Sequence, residues 1–412
     1  MVQAKFAVPL VVPIWDKRNE PLPFSPPPMI TCYRCANRNE DDHAYCGHCG
    51  ARLDEPSRSG ATVTAPESER PVWTADPVIG LRIRNTLTEF DLPVWRRETS
   101  IGRAKTCDVV LPSAAVSSVH CMIERREGGI CVVHDRGSKN GILSERTHRR
   151  MFELSAGSLF MVGNVPMVAF SASMQGVRAT LQYFLGFDER HQRGVEDALE
   201  AAGQRLHVLL AAPPGGQADR VAEILHGSGP GARQPFHVAP RIPAGRRAQR
   251  ELFSAASNGT LVLGVDDVPG DIVVVRECLR SNAFNARVIA VGRDPASAVG
   301  SEMLEGSGPG HAVAVHIPAL IERAETDRMK LVSILGEATA RRLGVEPFSV
   351  SPYLGALLRH DWPNNLDELE ETIERLLVLQ REGGNQRAAA RALGLSRGSW
   401  ARWFQAFRQD GA

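Results

Sequence analysis

The sequence predicts a multidomain α+β protein. Three observations carry that reading: paired cysteines near the N-terminus, a region of short β-rich runs separated by turns, and a longer region where apolar strands alternate with amphipathic helices before the chain turns wholly helical. At 412 residues the chain has room for roughly two to four domains, each with its own core. Apolar residues make up 43% and the formal net charge is +1, so any surface for nucleic acid has to be a local patch.

Residues 1–29 read as a disordered tail. Its longest apolar run, "FAVPLVVPIW", is broken by two prolines, is too short to span a bilayer, and lacks a basic leader or a cleavage site. No membrane partner is expected, and Met29 stands close enough to the first motif to serve as an alternative start.

Residues 30–53 hold "CYRCANRNEDDHAYCGHC", in which Cys32, Cys35, Cys46 and Cys49 form two CxxC pairs. Each pair turns its thiolates to one point, and two such knuckles complete a tetrahedral zinc site with no open position. So small a segment has almost no core, and metal binding would supply folding energy on the order of 10–16 kcal/mol at neutral pH. The expected Zn²⁺ is therefore structural, with His43 and His48 as bystanders. The segment resembles the short zinc ribbons of bacterial regulatory proteins. The other cysteines, Cys107, Cys121, Cys131 and Cys278, are scattered, and the simplest expectation is reduced core residues in a cytoplasmic protein.

Residues 54–77 are rich in Pro, Ser, Thr and Glu and read as a flexible linker. Its Thr62, Thr64 and Thr74 are candidate phosphorylation sites that the next domain could bind in its own or a sister chain. That domain, residues 78–172, contains "SIGRAKTCDVVL", "VSSVHCMI" and "DRGSKNGIL". Gly102 allows a tight turn that projects Arg103, Ser117 offers a hydroxyl, and Asn140 is expected to face its amide outward from a glycine-bounded turn. Cations, hydroxyls and an amide on neighbouring loops suit a phosphate ester on a peptide, and no base–nucleophile pair accompanies them. The three motifs resemble the forkhead-associated (FHA) domain, a β-sandwich that recognises phosphothreonine peptides. The resemblance implies that Arg103 and Ser117 hold the phosphate with Ser118 and Lys139 as helpers. It also implies that Asn140 bonds the peptide backbone and that Gly102, His120 and Gly141 shape the loops. Ser118 departs from the family, where arginine or asparagine is frequent.

From 176 to 320 the strand–helix alternation argues for a βαβ sheet, and 321–380 for a helical subdomain. "LHVLL" followed by "AAPPGGQADRVAEILH" has the strand–loop–helix layout of a phosphate-binding loop but no lysine. With "WPNNLDELE" downstream, this region resembles the AAA+ core of sigma-54-type enhancer-binding proteins. Set on that family's loop, Gly215 is kept, Gly216 follows, Gln217 replaces a glycine and Ala218 replaces the lysine. Gly264 and Val265 stand where an acidic pair should end the Walker B strand, and Asp266 and Asp267 come two places late. Asp367 stands at the sensor arginine, and between Pro235 and Gly259 there is no room for the sigma-contacting insertion. A pseudo-ATPase is expected. ATP hydrolysis is not, while nucleotide binding without hydrolysis stays open.

Residues 381–412 contain "GGNQRAAARALGLSRGSWARWF", two helices about a turn at Gly394. Ala388, Ala389 and Ala392 are expected to allow close helix approach, and Trp400, Trp403, Phe404 and Phe407 fall on one packing face. Ser396, Arg397, Ser399 and Arg402 lie in or before the second helix's first turns, off that stripe. Six arginines face only Glu382 and Asp410. This resembles the Fis-type helix-turn-helix that ends enhancer-binding proteins, which implies DNA binding as a homodimer or higher oligomer. The expected function is a transcription regulator that senses phosphothreonine and binds DNA. The alternatives are an active ATP-dependent sigma-54 activator and a phosphopeptide adaptor without DNA binding.

Overall fold

The computed structural model describes residues 29–31, 38–40, 70–144, 147–281, 283–304, 312–345 and 352–409. The chain divides into two units, Met1–Ala65 and Pro66–Ala412. In the first, β1 (Met29–Thr31) and β2 (Arg38–Glu40) pair antiparallel. Cys32, Cys35, Cys46 and Cys49 lie outside the described residues.

The second unit begins with two sheets packed face to face. One has the order β10-β9-β12-β13-β3-β4, built from β3 (Gly80–Ile83), β4 (Glu89–Asp91), β9 (Ile142–Ser144), β10 (Thr147–Arg149), β12 (Leu159–Val162) and β13 (Val165–Phe170). The other has the order β11-β8-β7-β5-β6, from β5 (Glu98–Gly102), β6 (Val109–Val110), β7 (Cys121–Arg125), β8 (Cys131–Asp135) and β11 (Met151–Leu154). The alternating inward residues Leu81, Ile101, Ile123, Val133, Phe160 and Met167 fill the space between the sheets.

β13 runs through Ser171 into α1 (Ala172–Leu185), and Ser171 Oγ accepts from the Met174 N–H as a helix cap. After α2 (Gln192–Gln204) comes a five-stranded parallel sheet ordered β15-β16-β17-β14-β18. Its strands are β14 (Val208–Ala211), β15 (Phe236–Ala239), β16 (Thr260–Gly264), β17 (Arg287–Gly292) and β18 (Val313–His316). Runs such as "VLLA" and "TLVLG" are apolar at consecutive positions because helices cover both faces of a parallel sheet. The covering helices include α3 (Ala218–Gly227), α4 (Arg246–Ala255), α5 (Val273–Ser281) and α6 (Pro295–Leu304). The chain then becomes helical: α7 (Glu325–Leu343), α8 (Leu354–Arg359), α9 (Asn365–Arg381), α10 (Gln386–Ala392) and α11 (Arg397–Gln409).

Two details depart from expectation. Residues 70–77 do not behave as linker: Trp73 is 2% exposed in a cluster with Ala156, Phe170, Met174 and Leu199, and Ser171 Oγ donates to its carbonyl at 3.1 Å. Composition concealed this, because a single tryptophan in a Pro/Glu-rich stretch suffices to anchor it. That same cluster continues into the helices and the parallel sheet, so the β-sandwich and the α/β region share a core. Between α10 and α11 the small buried residues are Ala389, as expected, and Ala390, whereas Ala388 is half-buried and Ala392 is exposed.

Candidate functional site

Three loops meet at one end of the sandwich: 103–108 after β5, 111–120 before β7, and 136–141 after β8. The backbone knits the first two together. Arg103 and Ala104 N–H donate to the Ser117 and Ser118 carbonyls at 2.9 and 3.0 Å. This approach is why position 102 is glycine: a Cβ there would collide with the Ser118 carbonyl. Arg103 is exposed, and its Nε donates to Val116 O at 3.2 Å, which aims the guanidinium while leaving its fork available.

His120, fully buried, joins the other two loops. Its Nδ1 accepts the Ser117 N–H at 3.1 Å, so Nε2 carries the proton and donates to Gly141 O at 3.0 Å. Ser117 Oγ accepts the Lys139 N–H at 3.1 Å, which leaves its O–H to donate outward. Ser118 and Lys139 are exposed beside it. Asn140 is exposed, and its Nδ2 donates to Ala115 O at 2.7 Å, so the amide braces the neighbouring loop and keeps its carbonyl oxygen for a ligand. Ala115 was not foreseen, since a backbone acceptor leaves no mark on residue type. The cluster thus offers a guanidinium, hydroxyls and an ammonium on a fixed frame, which suits a dianionic phosphate. Burial pushes the nearby Cys121 thiol up to about 12, so it stays protonated.

The loop after β14 is closed by the chain itself. Gly215 has φ +66°, and its face is covered by the Asn364 carbonyl, which leaves no room for a Cβ. Asp367 N–H donates to Gly215 O at 3.2 Å, and Gln217 Nε2 donates to Asp367 Oδ1 at 2.8 Å. Gly216 is buried, Ala218 opens α3, and Arg220 bonds both Gln217 and Glu370. Asp266 points elsewhere, accepting the Arg293 N–H at 2.7 Å, and the stretch between β15 and β16 is occupied by α4. Among the described residues one His/Asp group has metal-like spacing: Asp188, His191 and Asp327. Arg190 binds Asp188 at 2.8 Å, and His191 Nδ1 lies 2.6 Å from the same residue's carboxylate and 4.0 Å from that of Asp327.

In the tail, α10 and α11 pack through Ala389, Ala390 and Trp400 against Val378 and Leu379 of α9. Arg375 lies 4.8 Å over the Trp403 ring, and Phe407 is buried. Ser396 Oγ accepts the Ser399 N–H at 3.1 Å, and Ser396, Arg397, Ser399 and Arg402 are all exposed.

Comparison with known proteins bears on the first of these regions directly. Residues 99–163 match the FHA domain family. The chain carries an FHA domain. Over part of its length it is also similar to bacterial transcription regulators. It is 26% identical over 205 residues to the nitrogen assimilation regulatory protein NtrX of Azorhizobium caulinodans, covering 42% of this chain and 45% of that protein. It is 27% identical over 293 residues to the anaerobic nitric oxide reductase transcription regulator NorR of Salmonella paratyphi B, covering 58% and 55%. The chain spans about half the length of the curated relatives it matches. Among solved structures, the FHA domain of the CT664 protein from Chlamydia trachomatis aligns with a TM-score of 0.21 and 24% identity, covering 22% of this chain and 95% of that one. Among the described residues no helix is long and apolar enough to cross a membrane.

Proposed function

We propose that this protein is a cytoplasmic transcription regulator whose FHA domain binds a phosphothreonine-containing partner and whose tail binds DNA. The observation that carries the reading is His120. By holding Ser117 to Gly141 it sets Arg103, Ser117, Lys139 and Asn140 on one frame, with the charged and hydroxyl groups turned to solvent. Arg103 would grip the phosphate as a fork, Ser117 and Ser118 would donate hydroxyl bonds, Lys139 would add charge, and Asn140 Oδ1 would accept from the peptide backbone.

The α/β core is read as a pseudo-ATPase that serves as scaffold. Ala218 offers no ammonium to β- and γ-phosphates, and Asp367 places a carboxylate against the loop where an anion would have to sit. Exposed Ser396, Arg397, Ser399 and Arg402 at the start of α11 would meet DNA, in a homodimer or higher oligomer reading two half-sites. The Cys32, Cys35, Cys46 and Cys49 set has the donor chemistry of a closed structural zinc site, and the metal would supply folding energy to that segment.

The deciding experiment captures phosphothreonine peptides from a digested lysate on immobilised wild-type protein and on Arg103→Ala. Wild type should enrich a discrete set that the variant loses. Identical sets would remove the reading.

A further inference from the structure

Four exposed cations stand on the two loops that flank Ser117. Arg103 and Lys105 on the loop after β5, and Arg136 and Lys139 on the loop after β8, are all exposed. Both loops are tied to the segment between them: Arg103 N–H donates to Ser117 O, Lys139 N–H to Ser117 Oγ, and Arg136 N–H to His120 O at 3.0 Å. Of the nearby acids, Asp108 is paired with another cation, and the single charge of Asp135 offsets part of the four. Asp108 accepts from Ser100 N–H and Oγ at 2.9 and 2.8 Å and pairs with Arg96 at 2.7 Å. Asp135 is half-buried and accepts the Ser138 N–H at 3.3 Å. A phosphate monoester brings a charge of about −1.5 to −2, enough for roughly two of the four cations.

Building on the phosphopeptide reading, we infer that the partner segment carries acidic residues beside its phosphothreonine, and that Lys105 and Arg136 select for them. Arg103 and Lys139 flank Ser117, so they answer the phosphate. Lys105 lies two residues past Arg103 on the one loop and Arg136 three residues before Lys139 on the other. That leaves both free to meet carboxylates of the residues flanking the phosphothreonine. Charges this exposed act mainly on encounter and on discrimination, and salt screens them over a Debye length of about 8 Å at physiological strength.

The test uses the full chain and three fluorescent peptides of one length: phosphothreonine with aspartate and glutamate neighbours, phosphothreonine with serine neighbours, and the acidic peptide unphosphorylated. Anisotropy titrations at low salt should show the acidic phosphopeptide binding about tenfold tighter than the serine-flanked one, a gap that narrows as salt rises. The Lys105→Gln, Arg136→Gln double variant should close that gap. Equal affinities for the two phosphopeptides in wild type would overturn the inference alone, as would a gap that the double variant leaves intact. If neither phosphopeptide binds better than the unphosphorylated control, the phosphopeptide reading falls and this inference with it.

Discussion

Gln217 donates to Asp367 across 2.8 Å, so the first turns of α9 lie directly against the loop that follows β14. Asn364 covers Gly215 in the same contact, and Arg220 and Glu370 extend it to the Tyr183 hydroxyl on α1. The helical region is therefore fastened to the sheet by a run of side-chain and backbone contacts. Incubation of the full chain with ATP should release no ADP, whether or not titration shows the nucleotide to bind. Asp367→Ala and Asp367→Arg should each cost at most about 1 kcal/mol of stability, because the bond is exposed, and neither should create turnover while Ala218 stands in the loop. Steady ADP release by wild type would refute the pseudo-ATPase reading.

His120→Ala tests whether the recognition loops owe their positions to one imidazole. The substitution strands the Ser117 N–H and the Gly141 carbonyl in a buried place and opens a small cavity, which should cost about 2–4 kcal/mol. Arg103→Ala, exposed, should stay within about 0.5 kcal/mol of wild type. Denaturant titration reads both. An Arg103→Ala loss as large as that of His120→Ala would show that the arginine is structural.

Arg82 predicts how the sandwich and the helices unfold. It is fully buried on β3, donates to Glu196 on α2 at 2.7 Å and approaches Glu89 at 3.4 Å, while Arg178 on α1 lies 3.7 Å from Glu196 and 3.1 Å from Glu89. Glu196→Ala would leave two buried guanidiniums short of a counter-charge, for a loss of about 3–5 kcal/mol. The double variant Arg82→Met, Glu196→Leu should be less damaged than Glu196→Ala, since no unpaired charge remains. Calorimetry should show the sandwich and the sheet melting together in wild type. Two separate transitions there would mean that the shared core does not couple them.

How much of this was readable in advance follows from what each feature depends on. The recognition loops were legible because Gly102, Arg103, Ser117, His120 and Asn140 are chemically distinctive residues at fixed spacings. The parallel strands announced themselves as apolar runs such as "TLVLG". What escaped were contacts made by backbone or by distant pairs. The Ala115 carbonyl that accepts from Asn140 belongs to a residue with no polar side chain. Asp367 read as a missing arginine, and only folding shows it meeting Gln217, a residue 150 positions earlier in the chain. Trp73 looked like part of a linker because flexibility was judged from its neighbours, while its burial depends on Phe170 and Leu199 far along the chain.

His207 makes stability depend on pH. Its Nδ1 accepts the Val288 N–H at 2.9 Å, which requires the neutral ring. Burial, with the Arg287 guanidinium nearby, lowers its pKa to about 4 from 6.5. The folded state thus keeps the ring neutral down to about pH 4, whereas the unfolded chain takes up the proton near 6.5. The contribution is complete above pH 6.5 and is lost as pH falls through the window to 4, by up to roughly 3 kcal/mol. Urea midpoints at pH 7 and pH 5 should show the drop, and His207→Asn, which keeps an acceptor without a titrating ring, should flatten it. An unchanged slope in that variant would assign the acid sensitivity to other groups.

The tail supplies the last prediction. α11 is anchored on one side by Trp400 and Phe407, and Trp400→Ala should cost about 3–5 kcal/mol of local packing. The opposite side starts with Ser396 capping the helix, so Arg397 and Arg402 project from a rigid turn. If these arginines neutralise phosphates, mobility shifts on duplex DNA should weaken steeply with salt. Each of Arg397→Ala and Arg402→Ala should then reduce the log–log salt slope by about 1, while thermal stability stays at the wild-type value. Duplex binding that ignores salt, or a slope unchanged in both variants, would leave α11 as a solvated helix and move any DNA contact elsewhere on the chain.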